Sequence, residues 1–364
     1  MSDIAKIYRP FTTLVGRYGR ETMRVPRVKV ELMETILLSR HACPSVVSQG
    51  RLETEAPDRF RTCFARDRDR IVYSDHYPLL AGKTQVFSPE SLSLEFTQIV
   101  HNRHFHVEKV AQVARSICRA LRLNEDLAEA IALGHDLGHS IFGHEGEKIL
   151  DELSQKYLGI PFKHNRQSLR VVRDLEKLNL SVEVMNGILC HDGERKDPVL
   201  RPNENGNYFD DGEFPMTLEG CVVRLADRIA YLPMDVQDAV RLSIIEVNDL
   251  PQMVRESLGT TPAQMIDAMV RSVIAHSAGR NYITMGEQEL AAMNALMNFN
   301  YQFVYVGSRV KQEFMATMTD CVRTLFDYCL IKNKLSAQAA IDRIVGLTDR
   351  QALALWNDLN NGRF

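Results

Sequence analysis

The chain lacks the marks of several protein classes. Its seven cysteines (Cys43, Cys63, Cys118, Cys190, Cys221, Cys321 and Cys329) are odd in number and nowhere form a C-x-x-C. That spacing excludes a disulfide framework and a thiolate metal site, and predicts reduced, mostly buried thiols in a cytoplasmic setting. Charge of one sign is also missing. Lys and Arg total 44 against 47 Asp and Glu, a net of −3, so no global excess draws the chain to nucleic acid or an anionic membrane. No apolar run approaches the ~20 residues of a membrane-spanning helix, and the first six residues lack the apolar core of a secretion signal. Repeats and low-complexity tracts are absent as well. A soluble, intracellular protein is expected. At 364 residues it should hold one large domain with appended lobes.

What is present is concentrated in one stretch. Residues 130–147 carry His135, Asp136, His139, His144, Glu145 and Glu147, punctuated by Gly134, Gly138, Gly143 and Gly146. An apolar helical run delivers His135 and Asp136 directly into this glycine-rich turn. Imidazole nitrogen beside carboxylate oxygen suits a borderline cation such as Mn, Fe or Zn. The bland alternative, a polar helix end whose histidines only cap, fits one lone histidine better than this density.

Along the chain, helical spacing dominates. Residues 1–52 read as an N-terminal extension with a basic stretch at 17–29, a short alternation at Val28–Leu32 like a strand, and a helix over Glu31–Leu38. Residues 58–75 alternate Arg and Asp, the usual signature of a salt-bridged helix surface. Positions 107, 110, 111, 114, 117, 118 and 121 predict an amphipathic helix with His106 on its first turn. Asn124, followed by Glu125 and Asp126, is a good N-cap for the helix that ends at His135.

His164 stands at a later helix entry, where catalytic and backbone-capping roles are equally open. Ser181 is read as the cap of a helix reaching His191-Asp192-Gly193, a second His-Asp pair taken as a decoy because no partner motif follows it. Residues 193–214 look like a surface loop. Thr217 caps an apolar helix in which Asp227 needs a cation or a partner, with Arg224 and Arg228 the local choices. Asp227 and Tyr231, four apart, face one cleft. Pro233 is expected to break that helix and Asp235 to cap the next. Helices are predicted over 263–275, 287–298, 308–330, 336–345 and 349–360. The fold class is all-α for the most part, divided into 1–52 (an extension and subunit-contact arm), a 53–240 core, and a 241–364 helical region packed on it.

The order His106, His135-Asp136, Asp227 is similar to the H…HD…D pattern of HD-domain metallophosphohydrolases. Further segments narrow the resemblance: Arg66-Asp-Arg-Asp-Arg-Ile, Lys83-Thr-Gln-Val-Phe, Phe142-Gly-His-Glu-Gly-Glu, His164-Asn-Arg-Gln-Ser-Leu-Arg, Ala226-Asp-Arg-Ile-Ala-Tyr and Asp342-Arg-Ile-Val-Gly-Leu-Thr-Asp-Arg. Together they resemble the dGTP triphosphohydrolase family, related to the mammalian SAM-and-HD-domain dNTPase. That resemblance implies hydrolysis of a deoxynucleoside triphosphate to deoxynucleoside and inorganic triphosphate. It makes His106, His135, Asp136 and Asp227 the ligands of one Mn, Fe or Zn ion, with Mg riding on the triphosphate. It also makes His144 and Glu147 a catalytic pair in which Glu147 orients the imidazole, with His164 beside them. His139, Arg103, Arg228, Tyr231 and, near the sugar 3′-hydroxyl, Gln85 and Asp235 become substrate contacts, with Lys83 a further cation near the phosphates. Homo-oligomers (tetramer or hexamer) and a nucleotide activator are implied as partners.

Departures from the family pattern are Ser140-Ile141 in place of two prolines, which predicts a looser turn, and Met234 where a histidine is usual. Two other readings stand beside this one. The first is an HD phosphatase or phosphodiesterase acting on other nucleotides. The second is a nucleotide sensor or single-stranded nucleic-acid binder, supported only by the basic 17–29 segment.

Overall fold

Helical periodicity is realised along nearly the whole chain in the computed structural model, which describes residues 25–88, 90, 100–193, 197–203, 206, 208–210, 212–306 and 309–362. The helices are α1 (Pro26–Leu37), α2 (Cys63–Val72), α3 (Arg103–Leu121), α4 (Glu125–Gly134), α5 (Gly143–Leu158), α6 (His164–Arg170) and α7 (Val182–Cys190). After them come α8 (Leu218–Arg241), α9 (Gln252–Ser257), α10 (Pro262–Ser277), α11 (Glu287–Phe299), α12 (Arg309–Ile331), α13 (Ala337–Val345) and α14 (Asp349–Asn360). Two short strands, β1 (Val199–Leu200) and β2 (Ile283–Thr284), pair antiparallel with Val199 opposite Thr284. The all-α expectation holds, and the five helices predicted after residue 241 fall within a residue or two of α10 to α14.

α3, α4 and α8 pack on one another at the centre, with α2 and α7 against α4. Their inward faces (Val107, Val110, Ala114 and Ile117 from α3, Leu127 and Ile131 from α4, Val222, Ala226 and Ile229 from α8) are fully buried. Each large aliphatic side chain so buried contributes roughly 1.5–3 kcal/mol. A second apolar cluster joins Ile149, Leu150 and Leu153 of α5 to Val322, Leu325 and Phe326 of α12, Ile341 and Ile344 of α13, and Ala352 of α14. The last three helices are therefore cored on α5, the helix that follows the glycine-rich turn.

Five local expectations are corrected. Val28–Leu32 is not a strand but part of α1, which starts with Pro26 in its first turn. Pro233 does not end its helix, because α8 runs on to Arg241. The cost of an internal proline, about 3 kcal/mol, is outweighed by Ile229, Leu232 and Val236 buried on both sides of it. Asp235 accordingly lies inside α8 and caps nothing. Ser181 occupies the N-cap position of α7, yet its hydroxyl accepts no N–H from the helix. Nor is the Arg-Asp run of α2 only a surface. Asp67 is fully buried, ion-paired to Arg51 and accepting the Ser181 N–H at 2.8 Å. Of the basic 17–29 segment, residues 17–24 lie outside the described residues; Arg27 pairs with Glu31 and with the Asp58 carbonyl.

Candidate metal and catalytic site

α4 ends at Gly134, and His135 keeps helical backbone (φ −62°, ψ −32°) as the next residue. Its Nδ1 thereby meets the Ala132 carbonyl at 2.6 Å, which fixes the tautomer and leaves the Nε2 lone pair facing inward. His106 sits on the first turn of α3, whose start is fixed by the Asn102 side chain accepting the Phe105 N–H. Its Nε2 lies 3.3 Å from His135 Nε2 and 3.0 Å from Asp227 Oδ1. Asp136 Oδ2 is 3.6 Å from His135 Nε2 and 3.9 Å from His106 Nε2, and Asp227 Oδ1 is 3.9 Å from His135 Nε2.

The four residues named as ligands thus converge from three helices. Arg224 does not neutralise Asp227: its guanidinium donates to the carbonyls of Cys190, Asp192 and Gly193.

The electrostatics suit a cation. Burial would raise both carboxyl groups, yet Asp136 is held well below the usual range by Arg103 and then by His135, His139 and His164. Asp227 is likewise held down, through its hydrogen bond and charge contact with His106. Burial pushes His135 down, so its imidazole is neutral and free to ligate. Within each of the sets His106, His135, Asp136 and His106, His135, Asp227 the donor atoms lie 3.0–3.9 Å apart, the separation expected of N and O ligands about 2 Å from a shared cation. Two imidazoles and two carboxylates form a donor set for Mn, Fe or Zn.

The second half of the site is organised around His164 at the start of α6. Its backbone N–H and its Nδ1–H both reach Glu147 Oε1 at 2.9 Å. Burial would lower this imidazole, but the charge and hydrogen bond of Glu147 push it up to about 10, while His164 holds Glu147 well below its usual range. A protonated His164 then donates Nε2–H to His191 Nε2 at 3.1 Å. His191 passes its own Nδ1–H to the Ile188 carbonyl at 2.7 Å, and burial pushes it down to about 4. The chain Glu147–His164–His191 therefore holds one positive charge at its centre. Glu147 orients His164 in this way, where the expectation had it orient His144. His144 is exposed on the first turn of α5, and its ligand atom lies within 4.8 Å of those of Glu147 and His139.

His191 corrects the decoy reading. It follows α7 with the same backbone (φ −66°, ψ −31°) and the same bond to the carbonyl three residues back as His135 after α4. Its ring centroid is 4.7 Å from that of His135. The signal was in the sequence: both His-Asp pairs end apolar helices, and only packing shows that both helices end at one place.

Of the expected substrate contacts, Gln85, Tyr231 and Asp235 line one small pocket beside His106. Asp235 also accepts the Tyr305 hydroxyl. Arg103 is turned inward, ion-paired to Asp136, with Nε on the Thr84 carbonyl at 3.1 Å. Arg228 is half-buried on α8 beside Asp227. Three buried polar atoms here lack a hydrogen-bond partner: Gln85 Oε1, Arg103 Nη2 and His139 Nε2. Each such atom costs roughly 1–3 kcal/mol when unmet, so a polar ligand here would relieve that cost. Lys83 is not free to meet phosphate, because its ammonium donates to the His139 and Val345 carbonyls at 2.7 Å each. Nor is the Ser140-Ile141 turn loose. Ser140 Oγ donates to the Gly143 carbonyl at 2.8 Å, and Ile141 is fully buried in the second core.

The HD-domain family model matches residues 103–232, a span that opens on the helix carrying His106 and closes on the helix carrying Asp227. A deoxyguanosinetriphosphate triphosphohydrolase-like protein from Desulfatibacillum aliphaticivorans is 42% identical over 360 residues, covering 92% of this chain and 97% of its own length. The chain belongs to the deoxyguanosinetriphosphate triphosphohydrolase-like family. Another member, from Caldanaerobacter subterraneus subsp. tengcongensis, is 39% identical and covers 93% of this chain and 96% of its own. A solved structure, a hypothetical protein from Aquifex aeolicus, aligns with a TM-score of 0.47 and 16% identity over 79% of this chain and 67% of that one. As a member of this family the protein is an HD-domain hydrolase, with His and Asp clusters able to hold a metal. Among its described residues, no helix is long and apolar enough to cross a membrane.

Proposed function

We propose that the chain hydrolyses deoxynucleoside triphosphates, dGTP among them, to the deoxynucleoside and inorganic triphosphate. The observation that carries this reading is the convergence of His106, His135, Asp136 and Asp227 next to a buried, protonated His164, in a chain 42% identical to a triphosphohydrolase-like protein. A divalent cation on those four ligands would supply Lewis acidity to a phosphoryl oxygen.

The chain's own residues do the rest. Arg103 Nη2 and Arg228 offset the triphosphate charge; guanidinium does so with fixed donor geometry. With its proton held near 10, His164 acts as a standing charge and is a poor proton donor at pH 7. The exposed His144, at the mouth beside Glu147 and His139, is placed to give a proton to the departing 5′-oxygen when water attacks the α-phosphorus. Gln85 Oε1, buried and without a hydrogen-bond partner, accepts the sugar 3′-hydroxyl at the small pocket it shares with Tyr231 and Asp235, which has room for that hydroxyl and not for the ring.

The test is product analysis with purified protein, Mn or Mg, and the four dNTPs supplied singly and mixed. Release of triphosphate supports the reading, and activity confined to mixtures adds a nucleotide activator. Release of single phosphates, or no triphosphate with Asp136→Ala indistinguishable from wild type, sinks it.

A further inference from the structure

The tail segment Asp342–Arg350 lies far from the metal ligands in sequence and contributes no ligand, yet its polar groups converge on the active-site segments. Asp342 receives Arg170 Nε at 2.8 Å and Nη2 at 2.7 Å, together with Gln167 Nε2 at 2.9 Å, and so ties down the helix that begins with His164. The Val345 carbonyl receives Lys83 Nζ, whose other bond goes to the His139 carbonyl. Asp349, 2% exposed, uses one oxygen for the Thr84 N–H at 3.0 Å and the Thr84 hydroxyl. Its other oxygen takes the Phe142 N–H at 2.9 Å.

The second contact matters because Phe142 has left-handed backbone (φ 58°, ψ 24°), which costs a non-glycine residue about 1 kcal/mol or more. The turn from His139 to His144 is thus held at one end through Lys83 and in its strained middle by Asp349. Asp349 belongs to the C-terminal lobe, and Lys83, from the core, is tied to that lobe through the Val345 carbonyl. Both oxygens of Asp349 are committed to these donors, and Lys83 is 1% exposed with both bonds on carbonyls.

We propose that Asp349, assisted by Lys83, is a positioning residue that sets the His139–His144 turn for the hydrolysis, so that the C-terminal lobe controls catalysis without touching substrate. The role in turnover rests on the function proposed above; the clamp on the turn does not. Asp349→Asn keeps the volume and can still accept from Thr84, but it turns an amide donor toward the Phe142 N–H. Thr84→Val removes one of three donors and leaves the carboxylate in place, a milder variant should the first fail to fold.

The experiment is backbone hydrogen–deuterium exchange on full-length, Mn-loaded protein, alongside bound-metal content and steady-state kinetics with dNTPs. Expected for Asp349→Asn is exchange at least about tenfold faster over 139–145, with α3 and α4 unchanged and metal content at the wild-type level. Its kcat should fall about ten- to hundredfold with KM within about threefold, the size of loss that a displacement near 1 Å produces. Wild-type exchange over 139–145 in Asp349→Asn overturns the clamp, as does a rise spread evenly along the chain. Selective exchange with an unchanged kcat overturns the role in turnover. Should wild type hydrolyse no dNTP, the proposed function falls and the exchange result still decides the clamp.

Discussion

Replacing Glu147 by Gln should discharge the pair at the centre of the second half-site, and the structure gives the size of the effect. His164 is raised from an ordinary 6.5 to about 10 against its own burial, with Glu147 the leading cause. That shift of about 3.5 units corresponds to roughly 5 kcal/mol between the two protonation states at about 1.4 kcal/mol per unit. The amide oxygen introduced by Glu147→Gln can still accept the His164 N–H and Nδ1–H, so the geometry persists while the charge goes. His164 keeps its burial and the weaker attractions of Asp136 and Asp192, and its titration should drop by about 3 units.

Stability follows with a definite sign. The raised His164 contributes stability fully present below about 6.5 and lost as pH rises toward 10; the depressed Glu147 contributes stability present above about 4.5 and lost as pH falls below it. Both contributions are complete between about 4.5 and 6.5, and most of the effect persists at neutral pH. Glu147→Gln should cost about 3 kcal/mol there, the low end for a broken buried pair, because His164 can shed its proton. The assay is imidazole carbon–proton NMR on chelator-treated protein with labelled histidine, His164 assigned by His164→Gln, together with urea unfolding across pH. The reasoning is refuted if the wild-type His164 resonance titrates near 6.5, or if it titrates identically in the variant.

Three further outcomes are expected. Asp227→Ala and His106→Ala should each lose the bound divalent ion and most activity, beyond the ~10–100-fold seen for partners outside a metal's ligands; full metal content by elemental analysis would remove them from the ligand set. Gly138→Ala should cost about 3 kcal/mol or more in urea melts, since a Cβ there would lie 2.2 Å from the Ser168 amide nitrogen. Gly159→Ala, at φ +71° with nothing within 4 Å, should cost only about 1 kcal/mol, and equal losses would mean that the close approach at Gly138 is not what matters. Gln85→Leu should leave stability unchanged or about 1 kcal/mol higher, because a buried partnerless oxygen disappears. The same variant should raise KM for dNTPs in kinetic assays, and an unchanged KM would remove Gln85 from the sugar site.

Much of this protein was legible in one dimension because the relevant signals are local. Periodicity fixed α10 to α14 but not the six-residue α9, and side-chain caps at Asn124 and Thr217 fixed two of the helices that carry ligands. Position on a helix end is a local property too: His135 at the end of α4 and His106 on the first turn of α3 were readable as such. What a residue's partner would be was not readable, because partners are chosen by packing across large sequence separations.

Asp227 was locally balanced between Arg224 or Arg228 and a cation; the tertiary structure sends Arg224 to the Cys190, Asp192 and Gly193 carbonyls and turns Asp227 to His106. His191 read as a decoy until α7 packed against α4 and brought the two His-Asp ends together. Pro233 would end an isolated helix, but inside this core the burial of its neighbours outweighs one lost hydrogen bond. Lys83 looked like a phosphate ligand, and only a chain that returns more than 260 residues later, to place Val345 and Asp349 beside it, commits it instead to holding the turn. The sequence by itself determined which residues can do chemistry and which helices present them. Tertiary structure decided who pairs with whom, because the free energy of a buried charge or hydrogen bond depends on the group that packing sets opposite it.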